Sequence, residues 1–106
     1  MGIRKTMNRE TEIKAQIAEV MHRNADRLRR HRVFLFGSRV TGNARPYSDF
    51  DIGVIGDEPL PLDDFYAIED QLDDLPTLYK IDWVDFNRVS PRFSERATQQ
   101  VEVIHG

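Results

Sequence analysis

The chain has 106 residues, of which 15 are Lys or Arg and 18 are Asp or Glu, so its formal net charge is −3. This length corresponds to one domain with one modest core, and a slightly negative charge gives no general attraction to nucleic acid. The chain has no cysteine, which excludes disulfides, cysteine-based zinc sites and thiol nucleophiles.

The N-terminal segment, residues 1–9, is basic and polar, and we expect it to be disordered. The folded domain is then expected to span residues 10–106. The first residues lack the apolar core of a signal peptide, and no apolar run approaches the roughly 20 residues that cross a bilayer. We therefore expect a cytoplasmic protein with no membrane contact.

Residues 10–30 carry apolar side chains near the 3.6-residue period of a helix. A basic cluster at residues 27–32 lies at or after the C-terminal end of this helix, where the helix dipole favours positive charge. It could also touch a phosphate backbone, but no aromatic residues interleave with it, so a solvated helix end is favoured and no direct nucleic-acid contact is expected. The predicted buried stripe consists of Ile13, Ile17, Val20, Met21 and Leu28.

Three apolar segments indicate strands: residues 33–36, 49–56 and 79–86. A helix is predicted over residues 62–75, where Pro76 ends it. A last helix is predicted to start at a Ser90 cap with Pro91 at its first position. We expect that helix to continue to the end of the chain. Its predicted buried stripe is Phe93, Ala97, Val101 and Ile104. The alternation of helices and strands predicts one small α/β domain.

The segment between the first two strands, residues 37–51, reads GSRVTGNARPYSDFD. Gly37 would let backbone amides approach a phosphate oxygen that a Cβ would block. Ser38 offers its amide and its hydroxyl, and residues 39–44 are expected to form a short helix. Taken alone, a Gly-Ser pair is typical of a simple strand-ending turn.

Asp49 and Asp51 lie two residues apart, so in a strand both carboxylates leave the same face. Oxygen ligands suit Mg²⁺ or Mn²⁺, and a nucleoside triphosphate, with about four negative charges, needs such ions beside carboxylates. The alternative is that Asp49 caps the loop while Asp51 is exposed at a strand edge. The apolar run that follows argues against this alternative, because it makes the strand buried.

Gly-Ser, ten residues, then Asp-x-Asp resembles the pattern of polymerase-β-like nucleotidyltransferases. The segment from Gly37 to Val54 is similar to the minimal nucleotidyltransferases, which are antitoxins paired with HEPN-family toxins. The resemblance covers residues 33–86. It implies a mixed sheet of three strands or slightly more, with the site at one edge. It also implies transfer of AMP from ATP to a hydroxyl, with two bound Mg²⁺ or Mn²⁺ ions.

The resemblance calls for a third carboxylate, which also serves as or assists the general base. The third strand offers Asp82 and Asp85, whose odd spacing places them on opposite faces. The family pattern favours Asp82, leaving Asp85 to cap the strand end or to pair with Arg88. Asp49, Asp51 and Asp82 are thus the predicted catalytic and metal-binding residues.

Two arginines of the loop, Arg39 and Arg45, are expected to reach the triphosphate together with Gly37 and Ser38, although either arginine could be simply solvated. The minimal family often reads Gly-Ser-Arg-Ala-Arg-Gly at this point. This chain has Val40 and Thr41 there, so one basic contact is missing and nucleotide affinity or rate is in doubt.

The resemblance implies a HEPN toxin as partner, an RNase silenced when AMP is attached to a tyrosine, within a possible hetero-oligomer. The chain leaves about one helix after the third strand, which is too little to enclose a small acceptor, so we expect the partner to bring the hydroxyl. Two alternatives stay open. One is an inactive antitoxin that neutralises its partner by binding alone, and the other is a nucleotidyltransferase acting on a small molecule.

Overall fold

The computed structural model describes residues 9–106, and helices alternate with strands through this range. The predicted disorder of the N-terminal segment concerns residues that lie outside the described range, except Arg9, which begins the first helix. The helices are α1 (Arg9–Arg23), α2 (Ser38–Thr41), α3 (Leu62–Asp73) and α4 (Pro91–Ala97), and the strands are β1 (His31–Phe36), β2 (Phe50–Gly56), β3 (Ile81–Asp85) and β4 (Glu102–His105).

The strands form one sheet in the order β3-β2-β1-β4. Strand β1 pairs antiparallel with both β2 and β4, while β2 pairs parallel with β3. The sheet is therefore mixed, and the predicted small α/β domain is confirmed. No helix in residues 9–106 combines the length and the apolar character needed to cross a bilayer.

One face of the sheet, which we call the helix face, packs against α1 and α3. Strand alternation sends every second side chain to this face, and the predicted stripe of the first helix is buried there as expected. The side chains that build this core are Ile13, Ile17, Val20, Met21, Leu28, Val33, Leu35, Phe50, Ile52, Val54, Leu60, Ile68, Leu72 and Trp83.

The opposite face, which we call the aromatic face, carries a smaller core of Phe34, Phe36 and Phe86. The rings meet edge to face, with centroids 5.0 Å apart for Phe34–Phe86 and for Phe36–Phe86. Phe93 of α4 adds a fourth ring, 5.6 Å from Phe86. Helix α4 covers only part of this face, so the neighbouring end of the sheet is open to a ligand.

The first helix ends at Arg23, earlier than the predicted residue 30. The backbone tightens at this point, because the amide of Asn24 donates to the carbonyl of Met21 at 3.0 Å. The buried side-chain amide of Asn24 also donates to the carbonyl of Val20 at 2.7 Å and to Oε1 of Gln71 at 2.8 Å. Asparagine competes in this way with helical hydrogen bonds, so the polypeptide leaves the helix while Leu28 still reaches the core.

The prediction that the last helix runs to the chain end is wrong. Helix α4 stops at Ala97, and residues 102–105 form β4 against β1. The sequence VEVI is rich in β-branched residues, which favour a strand, and its pairing covers an edge of β1 that would otherwise be open. Phe93, predicted to be buried, is 43% exposed.

Candidate functional site

Two of the three predicted carboxylates, Asp51 and Asp82, meet where three strands adjoin on the aromatic face. In the sheet register Asp51 is the partner of Phe36 on one side and of Asp82 on the other. Neighbouring residues in register point to the same face of a sheet. The structure therefore brings Asp51 and Asp82 side by side, in agreement with the choice of Asp82 that the family resemblance implies.

The carboxylate of Asp51 holds its proton unusually well. The pKa of Asp51 is raised from 3.8 to about 6, mainly by burial and also by the negative charges of Asp82 and Asp49, while Arg39 acts in the opposite direction. Asp51 also shares a hydrogen bond with Asp82. Two carboxylates this close cannot both be ionised without a cation or a shared proton, so this end of the sheet has an excess of negative charge.

Asp49 lies just before β2, half-buried, and its charge acts on Asp51. Across residues 9–106, no three acidic or histidine side chains are gathered into a group that could hold a metal ion. The closely placed pair is Asp51 and Asp82. Nζ of Lys80, an exposed side chain, lies 3.5 Å from Oδ1 of Asp82. The pair offers only oxygen ligands, which fits Mg²⁺ or Mn²⁺ better than softer metals.

Gly37 lies against Asp51 at the end of β1. Its backbone angles are φ 79° and ψ −154°, a region essentially limited to glycine. A Cβ at this position would collide with Oδ2 of Asp51. The glycine predicted to admit a phosphate therefore also admits the carboxylate, and the turn that follows begins α2 at Ser38.

Arg39 is packed into the domain and does not extend into solvent. Its side chain is 6% exposed, and its guanidinium lies 2.7 Å from the carboxylate of Glu10. The same group donates to the carbonyl of Ser48 at 2.6 Å and 3.2 Å and lies 3.9 Å from the ring centroid of Phe50. The expected contact with a triphosphate remains a prediction, and it would require these bonds to break. In the present arrangement Arg39 anchors the loop that leads into Asp49.

Arg45, the second predicted loop cation, lies exposed in the segment between α2 and β2. Its backbone amide donates to Oγ of Ser48 at 2.8 Å, which folds the loop into a turn before β2. The turn leaves the Arg45 side chain outside the packed core, and its contact with a triphosphate remains a prediction.

Asp85 lies on the helix face, 5% exposed, away from Asp82. Its Oδ2 accepts from the amide of Leu60 at 3.0 Å and from Nε of Arg88 at 3.2 Å. Its Oδ1 accepts from the amide of Asn87 at 2.8 Å. The pairing of Asp85 with Arg88, one of the two alternatives predicted for this residue, is confirmed.

Comparison with known proteins now identifies the family. A family model described as polymerase beta, nucleotidyltransferase matches residues 15–106. The chain belongs to this nucleotidyltransferase family. The match extends past β3 into the C-terminal strand, so the element that sequence patterns misplaced lies within the family domain.

Among curated proteins, this nucleotidyltransferase domain is similar to the probable protein adenylyltransferase MntA of Haemophilus influenzae, strain ATCC 51907 / DSM 11121 / KW20 / Rd. The two are 42% identical over 69 residues, which is 59% of this chain and 55% of that relative. The chain thus matches little more than half of the relative's length.

Among solved structures, the domain is similar to a toxin–antitoxin crystal structure with AMP-PNP, with a TM-score of 0.67, 22% identity and coverage of 88% of this chain and 73% of that one. A tri-AMPylated Shewanella oneidensis HEPN toxin in complex with MNT antitoxin gives a TM-score of 0.63, 20% identity and coverage of 92% and 72%. A structure described as a minimal nucleotidyltransferase gives 0.59, 27% identity and coverage of 92% and 97%. These likenesses support the nucleotidyltransferase fold.

The nucleotidyltransferase domain also contains a cleft that sequence reasoning missed. It opens beside Gly37, between α2 and α4, and Thr41, Phe93 and Arg96 line it. The three-residue spacing of Phe93 and Arg96 places both on one side of a helix, but the prediction assigned this side to the core. Phe93 and Arg96 line the cleft because α4 ends at Ala97 and the chain then turns away to pair as β4 with β1.

Proposed function

We propose that the chain is a metal-dependent protein adenylyltransferase that moves AMP from ATP to a hydroxyl, most simply a tyrosine, of a HEPN-type toxin and thereby acts as an antitoxin. The single observation that carries the proposal is the carboxylate pair Asp51–Asp82, which is in register beside Gly37 and in which the pKa of Asp51 is raised to about 6. Membership of the nucleotidyltransferase family supplies the reaction class.

In the proposed reaction the acceptor oxygen attacks the α-phosphorus of ATP, the bond from that phosphorus to the bridging oxygen breaks, and pyrophosphate leaves. The hydroxyl proton passes to a carboxylate, for which Asp82 is the candidate. Asp49, Asp51 and Asp82 would hold two Mg²⁺ or Mn²⁺ ions, which neutralise the triphosphate and polarise the α-phosphoryl group when bound.

The residues of the turn position the nucleotide in this proposal. Gly37 and Ser38 offer backbone amides, and Ser38 adds a hydroxyl to the phosphate oxygens. Arg45 approaches from the exposed loop. Arg39 contributes by direct contact if it releases Glu10, and otherwise by holding the carbonyl of Ser48 next to Asp49.

The toxin partner is proposed because similar solved structures contain a toxin bound to an antitoxin. Two of the similar solved structures are toxin–antitoxin complexes, one with AMP-PNP and one with an AMPylated HEPN toxin. The carboxylates lie at an open end of the sheet, so a macromolecule can supply the missing wall and form a hetero-oligomer with this chain. A reaction that consumes ATP draws on the cytoplasmic nucleotide pool, so the proposal places the protein in the cytoplasm.

A second candidate is an antitoxin that acts by contact alone. Two observations favour it: Thr41 stands where the resembling enzymes often have arginine, and the guanidinium of Arg39 is already bonded within the domain. In this case the carboxylates would be unused, and protection of cells would not depend on them.

The deciding experiment incubates the chain with its co-encoded HEPN toxin, ATP and Mg²⁺, followed by intact mass spectrometry. We expect the toxin to gain one or more AMP units, and to gain none with Asp49→Ala, with Asp51→Ala or in EDTA. If the wild type forms a stable complex and both alanine variants protect cells equally well, the contact-only antitoxin is correct and the enzyme proposal is wrong.

A further inference from the structure

The cleft beside Gly37 has the size of a ligand site. Its volume is about 620 Å³, within the roughly 300–1,000 Å³ that small-molecule pockets occupy. Phe36 and Phe93 form an apolar wall, and their rings lie 6.3 Å apart at 90°. Gly37, Thr41 and Arg96 supply the polar part of the lining. An apolar wall with a few polar groups is the usual composition of such a pocket.

The cleft lies next to Asp51, because two residues of its lining, Phe36 and Gly37, are neighbours of Asp51. Phe36 lines the cleft and is the register partner of Asp51, which is in turn the partner of Asp82. Adjacent strands lie about 4.8 Å apart, so the cleft begins about one strand away from Asp51. Phosphates bound at Gly37 would therefore lie at the cleft that Arg96 also lines.

The charge balance of this site calls for a cation. Three carboxylates act on one another here, and a triphosphate adds about four negative charges. Two divalent ions and Lys80, whose Nζ lies 3.5 Å from Oδ1 of Asp82, neutralise only part of this charge. Arg39 reaches a phosphate only by giving up Glu10, the Ser48 carbonyl and its place over the Phe50 ring. A cation that has no such bonds to lose binds the phosphate at lower cost.

Arg96 meets this condition. It projects from α4 into the lining of the cleft, opposite Thr41 on α2. Within residues 9–106, no ion pair or side-chain hydrogen bond engages its guanidinium. Its planar donors suit phosphate oxygens, which they can bind in pairs.

The two walls of the cleft are tied together, so Arg96 does not depend on a free helix for its position. Nε2 of Gln100 donates to the carbonyl of Val40 at 2.9 Å, which joins the segment after α4 to α2. The hydroxyl of Thr98 donates to the carbonyl of Ser94 at 2.7 Å and closes the end of α4. These bonds fix the last turn of the helix that carries Arg96.

We propose that Arg96 is the cation that binds the β- and γ-phosphates of the nucleotide from α4, across the cleft from Thr41. The inference rests on the proposed function, because it assumes a nucleoside triphosphate at the carboxylates. It assigns to the helix after the third strand a direct part in substrate binding, whereas the sequence pattern gave that helix a packing role.

The test is calorimetric titration of the wild type and of Arg96→Ala with ATP and with AMP, both in Mg²⁺. We expect Arg96→Ala to weaken ATP binding roughly tenfold or more, as loss of a charged hydrogen-bond partner does. AMP lacks the two outer phosphates, so its affinity should change less than about threefold. Arg96 is exposed, and thermal melting should show an unchanged fold.

The matched control is Arg92→Ala, which removes the same charge from the same helix one turn earlier, outside the cleft lining. We expect its ATP affinity to stay within about twofold of wild type. A complementary variant, Thr41→Arg combined with Arg96→Ala, places a guanidinium on the opposite wall of the same cleft and should restore most of the lost ATP affinity.

The outcomes separate the two proposals. Wild-type ATP affinity in Arg96→Ala, or equal losses in Arg92→Ala and Arg96→Ala, overturns the assignment of Arg96 and leaves Arg39 or Arg45 as the phosphate cation. An equal loss for ATP and AMP also overturns it, because the contact would then not involve the outer phosphates. A wild type that binds no ATP in Mg²⁺ instead contradicts the proposed function itself.

Discussion

The aspartates on the two faces of the sheet differ in the groups that surround their carboxylates. On the helix face Asp85 is buried, and three donors from the backbone and Arg88 surround its carboxylate. On the aromatic face Asp51 and Asp82 share a hydrogen bond, and burial with neighbouring negative charge raises the pKa of Asp51 to about 6. One β-strand, β3, contributes to both arrangements.

The difference shows how to separate a structural carboxylate from a candidate catalytic one. A structural carboxylate has its acceptors filled by the protein, so removing it leaves donors without partners. A carboxylate kept for a ligand has acceptors to spare and repels its neighbours in the free protein. The same substitution should therefore have opposite effects on the two faces.

The largest expected effect contrasts Asp82→Asn with Asp85→Asn. Asp82→Asn should lower AMP transfer by roughly a thousandfold or more, because it removes a charged ligand at the reacting phosphate. Asp85→Asn should leave the activity of the folded protein within about threefold of wild type. It should lower the free energy of unfolding by about 2–3 kcal/mol, since its amide N–H groups face backbone donors.

Transfer assays and urea denaturation of both variants provide the measurement. The reverse pattern, with activity lost only in Asp85→Asn, would contradict the assignment of the site to the aromatic face. It would mean that the functional register of β3 differs by one residue from the observed pairing of Asp51 with Asp82.

A second contrast uses two glycines with positive φ in the same turn region, Gly37 at 79° and Gly42 at 85°. Gly37→Ala should lower the free energy of unfolding by about 2–4 kcal/mol, because it adds a collision with Asp51 to the backbone strain. Gly42 has no atom near its Cβ position, so Gly42→Ala should cost only about 1 kcal/mol. Thermal melting measures both changes.

Activity sharpens this glycine comparison. Gly37→Ala should abolish ATP binding even at temperatures where the variant is folded, since Asp51 must move. Gly42→Ala serves as the matched control and should bind ATP as the wild type does. Equal losses of affinity in the two variants would show that backbone strain alone, and not the contact with Asp51, is responsible.

The smallest expected effect is a gain of stability on the aromatic face. Asp51→Asn should abolish transfer and raise the free energy of unfolding of the metal-free protein by about 1–2 kcal/mol at pH 7. This figure is below what the full pKa shift corresponds to, because Asp51 is only half-buried and water screens its charge. A lowered melting temperature in metal-free Asp51→Asn would mark Asp51 as structural instead.

The pH dependence of this gain has a definite sign. The folded protein binds the Asp51 proton more tightly than the unfolded chain, since the pKa is about 6 in the fold against an ordinary 3.8. The stability that protonation gives is therefore complete below about pH 3.8 and is lost as pH rises through about 6. The advantage of Asp51→Asn over wild type should be present at pH 7 and shrink toward pH 4 in urea titrations.

Local patterns predicted much of the fold and of the candidate site. The apolar spacing in α1 identified the residues that are buried, and strand alternation separated Asp82 from Asp85. The Gly37-Ser38 turn and the spacing to Asp51 indicated the family that the comparison establishes. These features depend on side chains close together in sequence, where the periods of helix and strand fix which side chains share a face.

Other features were decided by contacts between distant parts of the chain. The apolar residues after Ala97 fit a helical stripe as well as a strand, and only the open edge of β1 selected the strand β4. That pairing shortens α4 and leaves Arg96 facing the cleft. Arg39 appeared equally able to meet a ligand or solvent, and its bond to Glu10, 29 residues earlier, gives it a packed position. The periodicity of a single segment does not predict such long-range contacts, because they depend on which strands pair and in which register.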